Sequence, residues 1–216
     1  MSRATFIALG ASLALLACSE STAPPIESFV PQFDIAGGGG TLHILTQADS
    51  APRLETLQAS IWVVRGEKRR IRIRYEADPN VVDPEALVLD FVELEFDKAT
   101  LESLPNGTPI ADGDSVLVSL TVHSDSLLLT LEPTGLTFSA ARPARLKFRY
   151  HNANPDLDGV NGVDPNDELI RTQLLNMWQQ EDESGEWSPV AGVEHRLESR
   201  KFDAPLLHFS NYAIAW

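Results

Sequence analysis

Short runs of alternating apolar and polar residues fill most of the chain after residue 40. In the run from Arg70 to Tyr75, arginines alternate with isoleucines and a tyrosine, which gives one polar and one apolar face. Residues 115–122 (SVLVSLTV) and 145–150 (RLKFRY) repeat this period of two. The same kind of pattern predicts further strands at 41–45, 60–64, 87–96, 127–131, 174–179, 194–199, 206–209 and 212–216.

Turn-forming residues separate these runs. Proline, glycine, asparagine, aspartate and serine supply the breaks at 78–79, 105–107, 112–113, 133–135 and 184–185. About ten short strands with turns between them, and no long helical period, predict an all-β fold, an antiparallel β-sandwich formed by one domain at 41–216.

Helix is expected only after Asp164. This residue is a suitable N-cap, Pro165 follows at the first helical position, and acids occupy the first turn. We expect one or two turns before the chain returns to strand near 174–178.

The first 40 residues differ in character. Residues 1–17 place Arg3 before an uncharged stretch, the order of a secretory signal peptide, and this stretch is shorter than the roughly 20 residues of a membrane-spanning helix. It ends in LLAC, which resembles the lipobox of bacterial lipoproteins; an ordinary signal peptide with an incidental cysteine is the alternative. The resemblance implies cleavage before Cys18 and acylation of that residue. The mature residues 18–40, rich in proline and glycine, predict a flexible tether.

Charge and cysteine content limit the classes of partner that the protein can bind and the interactions that can stabilise it. The formal net charge of −14 argues against nucleic acid and against a polybasic grip on anionic lipid, so the acyl groups on Cys18 would hold the protein at the membrane. Ser19 resembles the outer-membrane sorting signal, which implies an outer-membrane lipoprotein, either periplasmic or surface-exposed. A single cysteine excludes an intramolecular disulfide, so we expect an apolar core to provide the stability.

Three blocks in the second half carry a family resemblance. They are PTGLTFSAARPARLKFRY (133–150), GEWSPV (185–190) and HFSNYAIAW (208–216). Together they resemble the ZU-type β-sandwich domain of ankyrins and netrin receptors and its bacterial lipoprotein relatives. In that family a Pro-x-Gly-Leu-x-Phe turn precedes a strand, a tryptophan strand follows, and a His-Phe-Ser-x-Tyr strand closes the domain. The upstream element Ile-Pro-x-Gly-Ala-Leu is degenerate here, as DPEAL at 83–87.

Large aromatic residues in the second half are interpreted as core. Gly135 supplies the positive φ that a type II turn requires after Pro133. The aromatic residues are expected to bury large areas, and ligand stacking is the alternative for them. They are Trp178, Trp187, Tyr212 and Trp216.

The loop 152–168 is the candidate metal site. It gathers acids around two glycines, and Ca²⁺ prefers six to eight oxygen ligands, commonly from a twelve-residue loop with glycine at position 6. With Gly159 at position 6, position 12 falls on Pro165, one residue beyond the nearest acid. The loop therefore resembles a calcium loop of the dockerin or EF-hand type with one residue deleted, and a solvated Asp/Asn turn is the alternative. The candidate ligands are Asn154, Asp156, Asp158, the Val160 carbonyl and Asp164.

Catalytic motifs are few. The five histidines have no metal-binding spacing, and the acids Glu93 and Glu95 share a strand face that is interpreted as solvated. In some relatives of the ZU fold a His-Phe-Ser site cuts itself. Carried over here, His208 would act as base and Ser210 as nucleophile, and the bond between Phe209 and Ser210 would break. The structural interpretation is a closing strand over 206–216.

The sequence thus predicts a lipid-anchored, non-enzymatic β-sandwich of the cell envelope, an interaction or structural module with a candidate weak Ca²⁺ site in the loop 152–168. Its partner, a protein or a cell-wall component, is not specified. The alternatives are an autoproteolytic domain and a carbohydrate- or cell-wall-binding module, and exposed tryptophans on one face would support the latter.

Overall fold

Two antiparallel β-sheets form the fold in a computed structural model of the chain, which describes residues 42–77, 90–160, 162–181 and 185–216. In chain order the strands are β1 (Gln58–Val64), β2 (Arg69–Arg74), β3 (Asp90–Phe96), β4 (Leu101–Ser103), β5 (Ser115–Val122), β6 (Leu128–Glu132), β7 (Thr137–Phe138), β8 (Ala144–Arg149), β9 (Asn176–Gln180), β10 (Ser188–Pro189), β11 (Glu194–Arg196), β12 (Lys201–Leu206) and β13 (Asn211–Ala215).

The larger sheet has six strands in the order β1-β5-β6-β13-β9-β10, and the smaller has five in the order β11-β12-β8-β3-β2. A third pair, β4 with β7, lies beside them. Every pairing between the described strands is antiparallel. The predicted all-β, sandwich-type fold is confirmed.

The alternation of apolar and polar residues along each strand decides which side chains enter the core. In β2 the isoleucines are buried and the arginines point outward, and β5 and β8 follow the same period of two. Both sheets contribute to one core, and each large apolar side chain that is fully buried stabilises the fold by roughly 1.5–3 kcal/mol. In the predicted strand 41–45, the described residues 42–45 form an isolated bridge between Ile44 and Ala215 instead of a named strand, and Leu45 joins the core.

The end of the chain differs from its predicted form. Residues 206–216 are not one closing strand: β12 ends at Leu206 in the five-stranded sheet, and β13 begins at Asn211 in the six-stranded sheet. Between them, residues 207–210 cross from one sheet to the other. Within this crossover Phe209 is buried against Phe96 and Phe138, with ring centroids 6.2 and 4.9 Å away, and its backbone N–H donates to the Leu136 carbonyl.

The predicted helix is confirmed. α1 (Pro165–Leu169) begins after Asp164, whose carboxylate accepts a hydrogen bond from the Asn166 backbone N–H. A turn of π-helix (Ile170–Leu174) continues it before β9. Within the described ranges, no helix has the length and apolar character needed to cross a membrane.

The tryptophans are less buried than the sequence predicts. Tyr212 is fully buried, Trp216 is half-buried against the core, and the expectation of core burial is wrong for Trp178 and Trp187, which are half-buried. Trp216 packs against the edge of the core and stacks on His43. Trp62, on the outer face of β1, is 58% exposed.

Several predictions lie outside the described residues. These are the signal peptide at 1–17, acylation of Cys18, the tether at 18–40 and the degenerate element at 83–87.

Candidate functional site

The acidic loop begins where β8 ends, and short-range hydrogen bonds shape it. The Asn154 side-chain oxygen accepts from the Asp156 backbone N–H at 3.2 Å, and the Asp158 carboxylate accepts from the Val160 N–H at 2.9 Å. Both are Asx turns, the local structure that asparagine and aspartate favour because their short side chains reach the backbone two residues on.

Asp167 joins the two ends of the loop. It is buried, and its carboxylate accepts hydrogen bonds from the backbone N–H groups of Asp164, Leu157 and, at 3.4 Å, Asp158. Burial alone raises the pKa of Asp167, but these N–H donors outweigh it and lower the pKa below its ordinary value. The carboxylate therefore stays charged near neutral pH in the interior of the loop.

Three carboxylates converge at this point. One oxygen each from Asp156, Asp158 and Asp167 lies within 4.8 Å of the other two. The Oδ1 atom of Asp156 is buried and accepts no hydrogen bond from the described part of the chain. Two like charges about 4 Å apart repel by roughly 4 kcal/mol at an effective dielectric constant near 20, so a divalent cation among these oxygens would remove a substantial cost.

The structure brings together some of the predicted ligands and not others. Asp156 and Asp158 belong to the cluster. The Asp164 carboxylate instead caps α1, the Asn154 side chain closes its own turn, and Val160 contacts Asp158 through its N–H.

The third acid of the cluster, Asp167, was not among the predicted ligands. A fixed twelve-residue register ends before it, whereas the capping box of α1 folds it back onto the loop. An acid three residues after an N-cap aspartate is the pattern of a capping box, and that signal in the sequence indicates this placement.

The His-Phe-Ser segment lies in the crossover between the sheets. Ser210 is 1% exposed, and its hydroxyl donates to the Asn211 carbonyl at 3.1 Å. His208 Nδ1 lies 3.4 Å from the Phe209 carbonyl oxygen, which also accepts from the Gly135 N–H at 3.0 Å. The described hydrogen bonds do not join His208 to Ser210.

This arrangement contains part of what self-cleavage requires. The Gly135 N–H could stabilise an oxyanion on Phe209, but the serine proton points at a different carbonyl and the histidine does not accept it. The Tyr212 hydroxyl donates to the His208 carbonyl at 2.6 Å and so fixes the crossover. The hydrogen bonds of this segment therefore hold the crossover between the two sheets in place.

Glu93 lies in a network of ion pairs on the outer face of the five-stranded sheet. It is 4% exposed and contacts Lys147 on β8 and Arg72 on β2. Burial alone raises its pKa, but the hydrogen bonds and charges of these two cations outweigh burial and lower the pKa to about 2. Glu93 is thus a structural anion and is unsuited to accept a catalytic proton at neutral pH.

The outer face of the six-stranded sheet is mostly polar and uncharged. Trp62 stands opposite Leu117 across β1 and β5, and Trp178 on β9 points to the same side by alternation. Between them, hydroxyl and amide side chains hydrogen-bond across the strands, as in Thr130 to Asn211 at 3.0 Å.

No protein-family model, no curated protein and no solved structure matches the chain. The resemblance to ZU-type domains therefore rests on the three sequence blocks alone.

Proposed function

We propose that the protein is a non-enzymatic interaction module, anchored by lipid at Cys18 to the outer membrane of a bacterium, whose loop 152–168 binds Ca²⁺. The observation that carries the calcium part is the convergence of Asp156, Asp158 and Asp167, where one buried carboxylate oxygen accepts no hydrogen bond from the described residues. The lipid anchor is supported by the lipobox-like LLAC sequence ending at Cys18.

The chemistry of the loop favours calcium over a softer metal. All three side-chain donors are carboxylate oxygens, and Ca²⁺ accepts six to eight oxygens in irregular geometry, so that backbone carbonyls and water complete the shell. Three protein carboxylates and an exposed loop correspond to the weak binding of extracellular modules, with Kd on the order of 10⁻⁴ to 10⁻³ M.

Calorimetric titration of the purified protein tests this proposal. We expect Ca²⁺ to bind in that range, and Asp156→Asn to weaken binding at least ten-fold because it removes one of the three charges. Asp125→Asn is the matched control, since Asp125 is exposed in a different loop. The absence of calcium binding, or equal binding by wild type and Asp156→Asn, would contradict the proposal.

The anchor is tested separately in the native host. Cys18→Ala should move the protein from the membrane fraction to the soluble fraction and remove label from a metabolically incorporated fatty acid. A variant that remains in the membrane fraction would contradict lipid anchoring and leave the calcium test unaffected.

A second candidate is binding of a neutral polysaccharide on the six-stranded sheet. The exposed ring of Trp62 and the uncharged hydroxyl and amide side chains beside it support this function. Trp62→Ala should reduce retention on insoluble chitin or cellulose, whereas Leu57→Ala, an exposed apolar position just before β1, should not. Equal retention of both variants would contradict a role for this face.

A further inference from the structure

A basic groove lies on the outer face of the five-stranded sheet, although the chain as a whole is strongly acidic. Seven basic and three acidic side chains line it, in a chain whose formal net charge is −14. Five of the basic residues lie between positions 68 and 74, and the others are Arg142 and Arg145. The groove encloses about 800 Å³ and runs along β2 for roughly 20 Å, the length of six extended residues.

The strand order places basic side chains of β2 and β8 on both sides of the acidic strand β3. Acidic β3 lies between β2 and β8, both of which carry basic side chains on the same face. The Glu93 side chain is 5% exposed, while Arg70, which reaches over it to Glu95, is 50% exposed. Glu93 is therefore covered, and the three acids that line the groove are outnumbered by seven basic residues, so the charge that meets solvent is mainly positive.

Two of the cations are not committed to strong ion pairs. Arg145 is exposed and lies opposite Glu95 across β3 and β8, but it forms no ion pair within 4 Å in the ranges that the structure describes. Arg142 is 66% exposed, and among the described residues its one ion-pair partner is Asp97, at 3.9 Å. Both can contact a ligand without first breaking the network around Glu93.

We propose that this basic groove binds a linear acidic polysaccharide, a polymer carrying sulfate or carboxylate groups at intervals. The proposal rests on the role of the protein as an interaction module and is independent of calcium. Arginines two positions apart on β2 lie about 6.6 Å apart, so they present a regular row of positive charge to a polymer whose acidic groups repeat along its length. Guanidinium groups bind sulfate and carboxylate through paired N–H donors.

The lining disfavours other polyanions. A protein partner needs an apolar anchor pocket, but Phe96 is 2% exposed and the remaining apolar residues of the groove are small. Single-stranded nucleic acid binds through exposed aromatic platforms, which the described lining lacks. At physiological ionic strength, salt screens charges that are more than about 8 Å apart. The acidic residues elsewhere on the protein therefore have little effect on a ligand in the groove.

Binding to an immobilised heparin oligosaccharide, a sulfated probe, tests the proposal. The full-length protein is measured in EDTA, with polygalacturonate as carboxylated competitor and dextran as neutral control. The variant Arg142→Glu/Arg145→Glu should bind at least ten-fold more weakly at 50 mM salt. The slope of log Kd against log salt concentration should be smaller by about two for this variant than for wild type, because two ionic contacts are removed.

Controls make the outcome specific. Arg53→Glu reverses an exposed charge outside the groove and should bind like wild type, and the thermal melting temperature of every variant should stay close to that of wild type. Equal binding by the double variant, equal loss in Arg53→Glu, or retention on dextran would overturn the proposal. Stronger binding to poly-glutamate or to phosphatidylglycerol vesicles than to heparin would overturn the choice of polysaccharide. Calcium binding by the same preparations is measured separately, so a failure here leaves that result standing.

Discussion

Gly135 supports the crossover at the level of a single residue. Its φ is +80°, in the region that glycine adopts without cost, and its N–H donates to the Phe209 carbonyl. A Cβ atom at this position would lie 3.6 Å from the Pro105 Cβ, an ordinary contact, so the conformation is the main constraint on substitution.

Gly135→Ala should therefore destabilise the protein by about 1–2 kcal/mol, as measured by urea unfolding. Gly107→Ala is a matched control, because Gly107 has a φ of +81° and open space around it. A similar loss at both positions would confirm the conformational cause. A much larger loss at Gly135 would instead point to the crossover hydrogen bond or the Pro105 contact.

Ser210 provides the test of self-cleavage. Because its hydroxyl donates to Asn211 and His208 does not accept its proton, we expect the purified protein to give one intact mass under denaturing conditions. Ser210→Ala should then leave the mass pattern unchanged apart from the substitution. A fragment lacking residues 210–216 in the wild type, absent from the variant, would establish autoproteolysis and contradict the structural role of this segment.

At the scale of the strands, Glu93 connects β3 to both of its neighbours. Its pKa of about 2 lies below the ordinary value of 4.5, so the folded state favours the charged form more than the unfolded state does. This stabilisation is fully present above about pH 4.5 and is lost as the pH falls toward 2.

Glu93→Gln should cost on the order of 1–2 kcal/mol at pH 7, a value that allows for solvent screening of the exposed parts of Arg72 and Lys147. The difference from wild type should shrink as the pH falls below 4.5, in chemical unfolding measured from pH 7 to pH 3. Glu95→Gln, at a position with 25% exposure, should cost less. A cost for Glu93→Gln that is independent of pH would show that packing, and not charge, accounts for it.

The sequence predicts strands well where one face is buried. β2, β5 and β8 alternate strictly, and each forms within a residue or two of its predicted bounds. It fails where tertiary contacts decide the path. Residues 206–216 are apolar enough to be a single strand, but Phe209 enters the aromatic cluster and the chain changes sheets.

In the candidate calcium site, too, the sequence predicts the residues placed by local geometry and misses the one placed by folding of the chain. Sequence spacing identifies Asp156 and Asp158, because ligands at alternate positions of one loop depend only on local geometry. Asp167 reaches them through the cap of α1, which depends on how the helix folds back. The basic groove was not predicted, because it depends on which strands become neighbours of β3.

At the scale of the whole molecule, calcium should stabilise the fold by linkage. With a Kd of 10⁻⁴ to 10⁻³ M, 10 mM Ca²⁺ adds about 1.5–3 kcal/mol to the free energy of unfolding, which raises the melting temperature by roughly 3–10 °C over EDTA. Mg²⁺ at the same concentration should have a smaller effect, because it requires octahedral geometry and gives up its water reluctantly.

Two variants separate cation binding from loop architecture in this melting experiment. Asp156→Asn should reduce the calcium shift, as its weaker binding requires, without lowering the melting temperature in EDTA, because it removes one repelling charge whose buried Oδ1 has no donor in the described structure. Asp167→Asn should lower the melting temperature in EDTA as well, since its charged carboxylate holds three backbone N–H groups. If both variants instead lower it equally in EDTA and neither changes the calcium response, the carboxylates serve only to fold the loop.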